Sequence, residues 1–201
     1  MTLAKPDHSC LFAIAAGQHG YFTASQARAC GFMWDALTYH TQRGRFLRIR
    51  RGLYRLRDYP SSPHEEVVAA WLAVGKEVAV VSHESALDLL GLSDVIPDAV
   101  HLTVPRAKRH LPALPGVIIH TTTRPLPLSD IAVRDGVRLT AAARTIVDAA
   151  EVGTAPEQIE KAVIQAVERG LTTMQQLVQH ASQRNRRVAR LITNALGAVP
   201  R

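Results

Sequence analysis

Much of what would mark this chain as an enzyme, a membrane protein or a secreted scaffold is missing from it. Of its 201 residues only two are cysteines, Cys10 and Cys30. They form no CxxC or Cys/His spacing, so they read as reduced packing residues of a cytoplasmic protein. No apolar stretch reaches membrane-spanning length, and the brief apolar run 11–16 follows Asp7 and His8 without a cleavage pattern. Neither a spanning helix nor a signal peptide is therefore expected. There is no GxSxG elbow and no glycine-rich phosphate loop followed by Lys. His83-Glu84 opens like a zinc-protease helix, but residue 87 is Leu where the second His would stand. Pro97-Asp98 resembles the start of a nuclease motif, yet no Asp/Glu-x-Lys strand follows it. The nine histidines are scattered, with no ligand pair at helical spacing. The expectation is a protein that is not an enzyme, with no catalytic residue, metal or cofactor.

Acidic residues are also unevenly missing. Residues 1–60 carry 9 Lys and Arg against 3 Asp and Glu, residues 61–180 carry 10 against 14, and residues 181–201 carry 5 against none. A net charge of +7 thus hides a basic head, an acidic middle and a basic tail, which points to separate partners for separate regions. With 47% apolar residues and a mean hydropathy near zero, the chain can bury a normal core in one large or two modest domains.

The head carries the strongest pattern. Thr23 followed three residues later by Gln26 is a capping box, and predicts a short helix over 25–30. Gly31 supplies a tight turn, after which Met33, Leu37 and Thr41 recur at four-residue spacing. That leaves Trp34, Asp35, Thr38 and Gln42 facing outward from a second helix. Beyond Gly44, the runs 46–49 and 53–56 read as two strands about a glycine-bearing turn. Six arginines fall within thirteen residues here: Arg43, Arg45, Arg48, Arg50, Arg51 and Arg55. Alternation with Ile49, Tyr54 and Leu56 predicts apolar side chains inward and guanidinium groups outward.

Helix, turn, helix and hairpin in this order are the parts of a winged helix-turn-helix. Arg50, Arg51 and Arg55 are expected on phosphate or in a minor groove. Thr38, Gln42 and Trp34 are the candidates for base edges, since Gln can bond adenine through two atoms and Thr can touch a thymine methyl. Tyr39 is a further phosphate candidate, and His40 is expected in helix packing or an interface.

Pro60-Ser61-Ser62-Pro63 disfavours helix and marks the expected boundary between a DNA-binding domain over 1–60 and a mixed α/β domain over 61–201. In the latter, helices are predicted over 64–74, 84–90, 141–150, 156–169, 173–181 and 184–196, and strands over 78–81, 100–104 and 117–120. Ser82 and Thr140 are the expected caps of the second and third of these helices, and Gly91 closes the second. The fold class is α+β. The basic loop around Arg106, Lys108 and Arg109 reads either as a solvated connector or as a patch that meets a partner. The last helix sets Val188, Leu191, Ile192 and Leu196 against Arg184, Arg186, Arg187 and Arg190, either packed on the domain or as a second nucleic-acid contact.

The segments GYFTASQARACG, RGRFLRIRRGLYRL, VVSHESALDLLGL, HLTVPR and LTAAARTIVDAA, in this order and spacing, resemble the AbiEi-type antitoxins of bacterial type IV-like toxin-antitoxin pairs over nearly the whole chain. The resemblance implies an N-terminal winged helix that binds its own promoter, and a C-terminal domain that neutralises a partner toxin resembling a nucleotidyltransferase. Its basic winged-helix residues fall on Arg43, Arg45, Arg48, Arg50 and Arg51. Many relatives have Ser or Thr where Met33 stands, so this second helix lacks the usual cap. Some longer relatives append a nuclease-like domain, which is not expected here.

The expected partners are double-stranded operator DNA, contacted by a dimer or by two monomers side by side, and the toxin. A winged-helix repressor whose second domain senses a small ligand is the alternative.

Overall fold

Asp7 starts the first helix, α1 (His8–Ala16), by accepting the Cys10 backbone N–H at 2.9 Å. The computed structural model describes residues 5–199, and its contacts divide the chain into two units. Pro200 and Arg201, the end of the basic tail, lie outside the described residues.

The first unit runs to Glu77 and takes in Asp135–Val137. After α1 come β1 (Tyr21–Thr23), α2 (Ala24–Ala29), α3 (Trp34–Gln42), β2 (Phe46–Arg50) and β3 (Leu53–Leu56). The predicted capping box is present: Thr23 Oγ1 accepts from Gln26 N, and Gln26 Oε1 accepts from Thr23 N. Gly31 turns the chain at φ 83°, and Gly52 turns the hairpin at φ 78°, both in the region that favours glycine. The sheet is antiparallel in the order β1-β3-β2. Strand β1 was not among the expected elements. It places β3 in the middle of the sheet, and Ala24 N–H donates to Gly52 O at 2.8 Å, joining the start of α2 to the hairpin tip. Leu11, Phe22, Ala27, Phe32, Leu37, Phe46 and Tyr54 form the core. Phe22 lies 5.0 Å from Phe46 edge-on and 5.7 Å from Tyr54 in a stack.

Two expectations are corrected here. Cys10 and Cys30 are not a reduced pair but a disulfide, with Cα atoms 5.8 Å apart. Asp7 N–H donates to Cys30 O at 2.9 Å, which lays the start of α1 against the end of α2. A sequence separation of 20 residues does not reveal that contact.

The Pro-Ser-Ser-Pro segment is also no simple linker. It turns into α4 (Glu65–Val74), which packs on β1 and β3 and belongs to the first unit. Glu65 fixes the turn by accepting from Ser62 N at 2.9 Å. The first unit therefore extends past Pro60, and the second begins at Val78.

In the second unit, β4 (Val80–Val81), α5 (His83–Leu90), β5 (Val100–Pro105), β6 (Val117–Thr122), β7 (Ile131–Arg134) and β8 (Val137–Thr140, whose first residue groups with the first unit) are followed by α6 (Ala142–Val152), α7 (Pro156–Glu168), α8 (Met174–Ser182) and α9 (Arg186–Gly197). The five-stranded sheet has the order β6-β5-β4-β8-β7. Strand β4 is antiparallel to β5 and parallel to β8, while β5 is parallel to β6. Val81, Leu102, Leu139, Ile146, Ile159, Leu177 and Ile192 are buried in the core of this unit.

Local chemistry sets the helix ends. Gly91 closes α5 in a left-handed conformation, Pro156 starts α7, and Thr173 with Gln176 boxes the start of α8. Thr140 is not the cap of α6 as expected. It ends β8, and its hydroxyl meets the Thr145 hydroxyl at 2.6 Å while Ala141 takes the cap position. Ser82 does stand at the cap of α5, but its hydroxyl makes no capping bond. It is used elsewhere.

Candidate nucleic-acid interface

Helix α3 packs on β2 through Leu37 and His40, leaving Trp34, Asp35, Thr38, Tyr39 and Gln42 exposed. Trp34 and Tyr39 are 64% and 49% exposed, large values for aromatic side chains that a monomer would bury. Trp34, Thr38 and Gln42 follow one another at four-residue steps and share a stripe. Tyr39 lies on the neighbouring stripe, where the Arg43 guanidinium sits 5.4 Å from the centre of its ring. His40 packs inward against Phe46, Phe32 and His8 at 4.9, 5.7 and 5.1 Å. Burial, then the nearness of His8 and Arg45, holds its imidazole below the ordinary range. Met33 stands at the cap without a side-chain bond, 47% exposed.

The wing departs from the simple alternation. Arg48 pairs with Tyr54, but the next pair is Arg50 with Leu53, so Ile49 is an extra residue at a bulge. Its side chain is consequently exposed rather than inward. Arg43, Arg45, Arg48 and Arg51 are exposed along the edge strand β2 and its flanks, beside α3. Arg50 is half-buried and has interactions of its own.

Arg55 does not join them. It is 7% exposed, and its guanidinium donates to Glu65 Oε1 at 2.8 Å, Tyr59 O at 3.0 Å and Pro60 O at 3.1 Å. Its ring neighbour is Tyr21, 5.6 Å away. The cause is β1: on a central strand whose second face is covered by α4, position 55 points into the unit instead of into water. Arg55 is therefore withdrawn from the phosphate-binding set.

In the second unit, Arg106, Lys108 and Arg109 are exposed on a single 3-10 turn. Two arginines of the basic tail are committed to the fold. Arg184 pairs with Asp148 at 2.7 Å and Glu151 at 3.0 Å, and Arg187 caps α6 by donating to Ala150 O and Glu151 O at 3.0 and 2.9 Å. Arg186 and Arg190 are exposed.

The same unit assembles a group that sequence spacing did not disclose. His83, His101 and His120 each bring a ring nitrogen within 4.8 Å of the others. His83 and His120 stack at 3.6 Å, and His101 Nδ1 lies 3.0 Å from His120 Nε2. Burial is the main reason that all three imidazoles titrate below the ordinary 6.5.

Residues 11–57 match the family model described as the AbiEi antitoxin transcriptional regulators. No curated protein matches the chain in sequence. Among solved structures, the crystal structure of the RV2827C protein from Mycobacterium tuberculosis is similar, with a TM-score of 0.58 over 94% of this chain and 76% of that one. At 18% identity that likeness speaks for the fold alone. Over residues 11–57, which hold the capping box, glycine turn, outward-facing helix and arginine-bearing hairpin, the chain is therefore similar to the AbiEi antitoxin transcriptional regulators.

Proposed function

We propose that the chain is the antitoxin and transcriptional autorepressor of a bacterial toxin-antitoxin operon, working in the cytoplasm. The first unit holds operator DNA. Helix α3 enters the major groove with Thr38, Gln42 and Trp34 toward base edges, while Tyr39, Arg43, Arg45, Arg48, Arg50 and Arg51 meet the backbone. The observation that carries this reading is the exposed stripe Trp34-Thr38-Gln42 beside an edge strand at which Arg45, Arg48 and Arg51 face solvent. The second unit counteracts a nucleotidyltransferase-like toxin by protein contact. In support, Leu171, Met174 and Val178 are 41%, 42% and 51% exposed at helical spacing around the start of α8.

The test is titration of a labelled duplex from the promoter upstream of the gene, followed by fluorescence anisotropy across a range of salt. Affinity falls steeply with salt, because each neutralised phosphate releases about 0.9 counterion. Arg48→Ala with Arg51→Ala weakens binding to every sequence and flattens the salt slope. Gln42→Ala also relaxes the preference for operator over random duplex. Affinity independent of salt, or identical profiles for the two variants, overturns the assignment. Co-purification with the product of the adjacent nucleotidyltransferase-like gene tests the second half. Its failure, with an effector that changes operator affinity instead, selects the ligand-sensing alternative. A polar cavity of about 410 Å³ lined by Arg124, Asp130, Arg144, Gln176 and Gln179 would serve that reading.

A further inference from the structure

Neither operator binding nor toxin contact uses the three imidazoles of the second unit. We propose that His83, His101 and His120 form a binding site for one divalent cation of the zinc class, held within this unit and independent of DNA.

The fold brings these residues together from three elements. In the parallel pair β5 and β6, Thr103 lies opposite His120, and His101 is two residues before Thr103. His101 and His120 therefore leave the sheet on one face. Thr103 marks the same face, and its hydroxyl donates to Ser82 Oγ at 2.8 Å. Ser82 in turn lies 2.9 Å from His83 Nδ1. The chain of hydroxyls thus ties the start of α5 to the strand that carries His101.

The dimensions suit zinc. His101 Nδ1 and His120 Nε2 are 3.0 Å apart, where two nitrogens bonded to a tetrahedral zinc at about 2.05 Å sit roughly 3.3 Å apart. All three rings offer a nitrogen within 4.8 Å of the others, and closing on an ion requires the His83 ring to turn out of its stack on His120 and the ion to replace the hydrogen bond between His101 and His120. Burial keeps the imidazoles in the neutral form that ligates. Imidazole ligands select zinc and its transition-metal neighbours over magnesium or calcium, which want oxygen.

Two features fix the orientation. His83 Nδ1 is hydrogen-bonded to Ser82 Oγ, so a metal would be met by Nε2 with Nδ1–H donating to the hydroxyl, the arrangement in which an outer hydrogen bond sets the tautomer of a metal-bound His. His83 also has φ 53°, a left-handed conformation that a residue with a Cβ seldom adopts. It is retained here at the residue whose ring must turn from the helix toward the sheet. His83 and His120 border a cavity of about 380 Å³ shared with Thr122, Arg144, Asp148 and Arg184. Three protein ligands therefore leave a fourth coordination position on the cavity side, open to water.

The experiment uses untagged full-length protein, stripped with a chelator and dialysed, then titrated with zinc chloride by calorimetry. Cobalt(II) is added in parallel and followed by visible absorption. We expect one zinc per chain, tetrahedral cobalt bands, and a Tm raised by zinc. His120→Ala at the half-buried position and His101→Asn lower the affinity by more than about 100-fold, beyond the range of outer-shell changes, while Ser82→Ala lowers it about 10-fold. His110→Ala, on the exposed loop, leaves it unchanged. Circular dichroism of each variant separates lost ligation from lost folding. Absence of saturable one-to-one binding by the wild-type chain overturns the proposal. So does wild-type zinc affinity in a folded His120→Ala and His83→Gln pair, or magnesium binding as tight as zinc.

Discussion

Replacing Arg55 by Ala separates the structural arginine from the surface ones. The change leaves Glu65 without its cation and the carbonyl groups of Tyr59 and Pro60 without the donor that joins them to β3. Removing one partner of a buried ion pair costs about 3–5 kcal/mol when the survivor stays dry. The Glu65 side chain is 24% exposed, so water relieves part of that cost, and a loss of about 2–4 kcal/mol is the expectation. In urea, with a slope of about 2 kcal/mol per molar, the midpoint falls by roughly 1–2 M. Glu65→Gln keeps a neutral acceptor and should fall between wild type and Arg55→Ala. Operator binding is then measured at low temperature, where the variant is folded. Its salt slope should equal that of wild type, because no phosphate contact has been lost. A variant as stable as wild type within about 0.5 kcal/mol, whose salt slope drops by about 0.9, would show that Arg55 faces DNA and that the burial argument is wrong.

Reducing the Cys10–Cys30 bond reopens a loop closed across 20 residues, so Cys10→Ser with Cys30→Ser should cost about 3 kcal/mol in denaturant unfolding; a loss under about 0.5 kcal/mol would mean that the bond does not constrain the unfolded chain. Leu37→Ala, at the one apolar anchor of α3 that is 3% exposed, should cost about 2–4 kcal/mol and abolish operator binding only through unfolding. In chelator-treated protein, His83 is held well below 6.5 by burial, so the unfolded chain takes up its proton first; stability is full above about pH 6.5 and declines as the pH falls below it. His83→Gln should make that decline shallower by up to about 1.4 kcal/mol per pH unit, and an unchanged slope would place the acid sensitivity elsewhere. Thr173→Ala, which removes the hydroxyl that caps α8, should lower stability by about 1 kcal/mol in the same assay.

The elements that were legible in the sequence are those whose ends are written in local chemistry. Thr23 with Gln26, Gly31, Gly91 and Thr173 fix helix termini through bonds made within four residues, Pro156 does so through its fixed φ, and those termini fall within a residue of where the pattern placed them. The β7 and β8 hairpin was missed although Asp135-Gly136 carries its signal. Both residues have positive φ, at 49° and 78°, as a two-residue hairpin turn demands.

What could not be read is whatever depends on a third partner in space. Arg55 looked like Arg48 because alternation reports which residues share a face. It does not report whether β1 and α4 will cover that face. Cys10 and Cys30, and likewise His83, His101 and His120, are brought together by sheet order and helix packing, which no spacing of theirs encodes.

On the proposed operator-binding reading, the bond from Ala24 N–H to Gly52 O has a mechanical meaning. The tip of the wing is pinned to the very residue at which the helix-turn-helix begins, so the span between groove reader and flanking clamp is settled when the head folds. A duplex whose groove width already matches that caliper docks without deformation, whereas a mismatched one must bend or narrow to fit. Nucleotide steps that no side chain touches thereby acquire a say in where the protein sits.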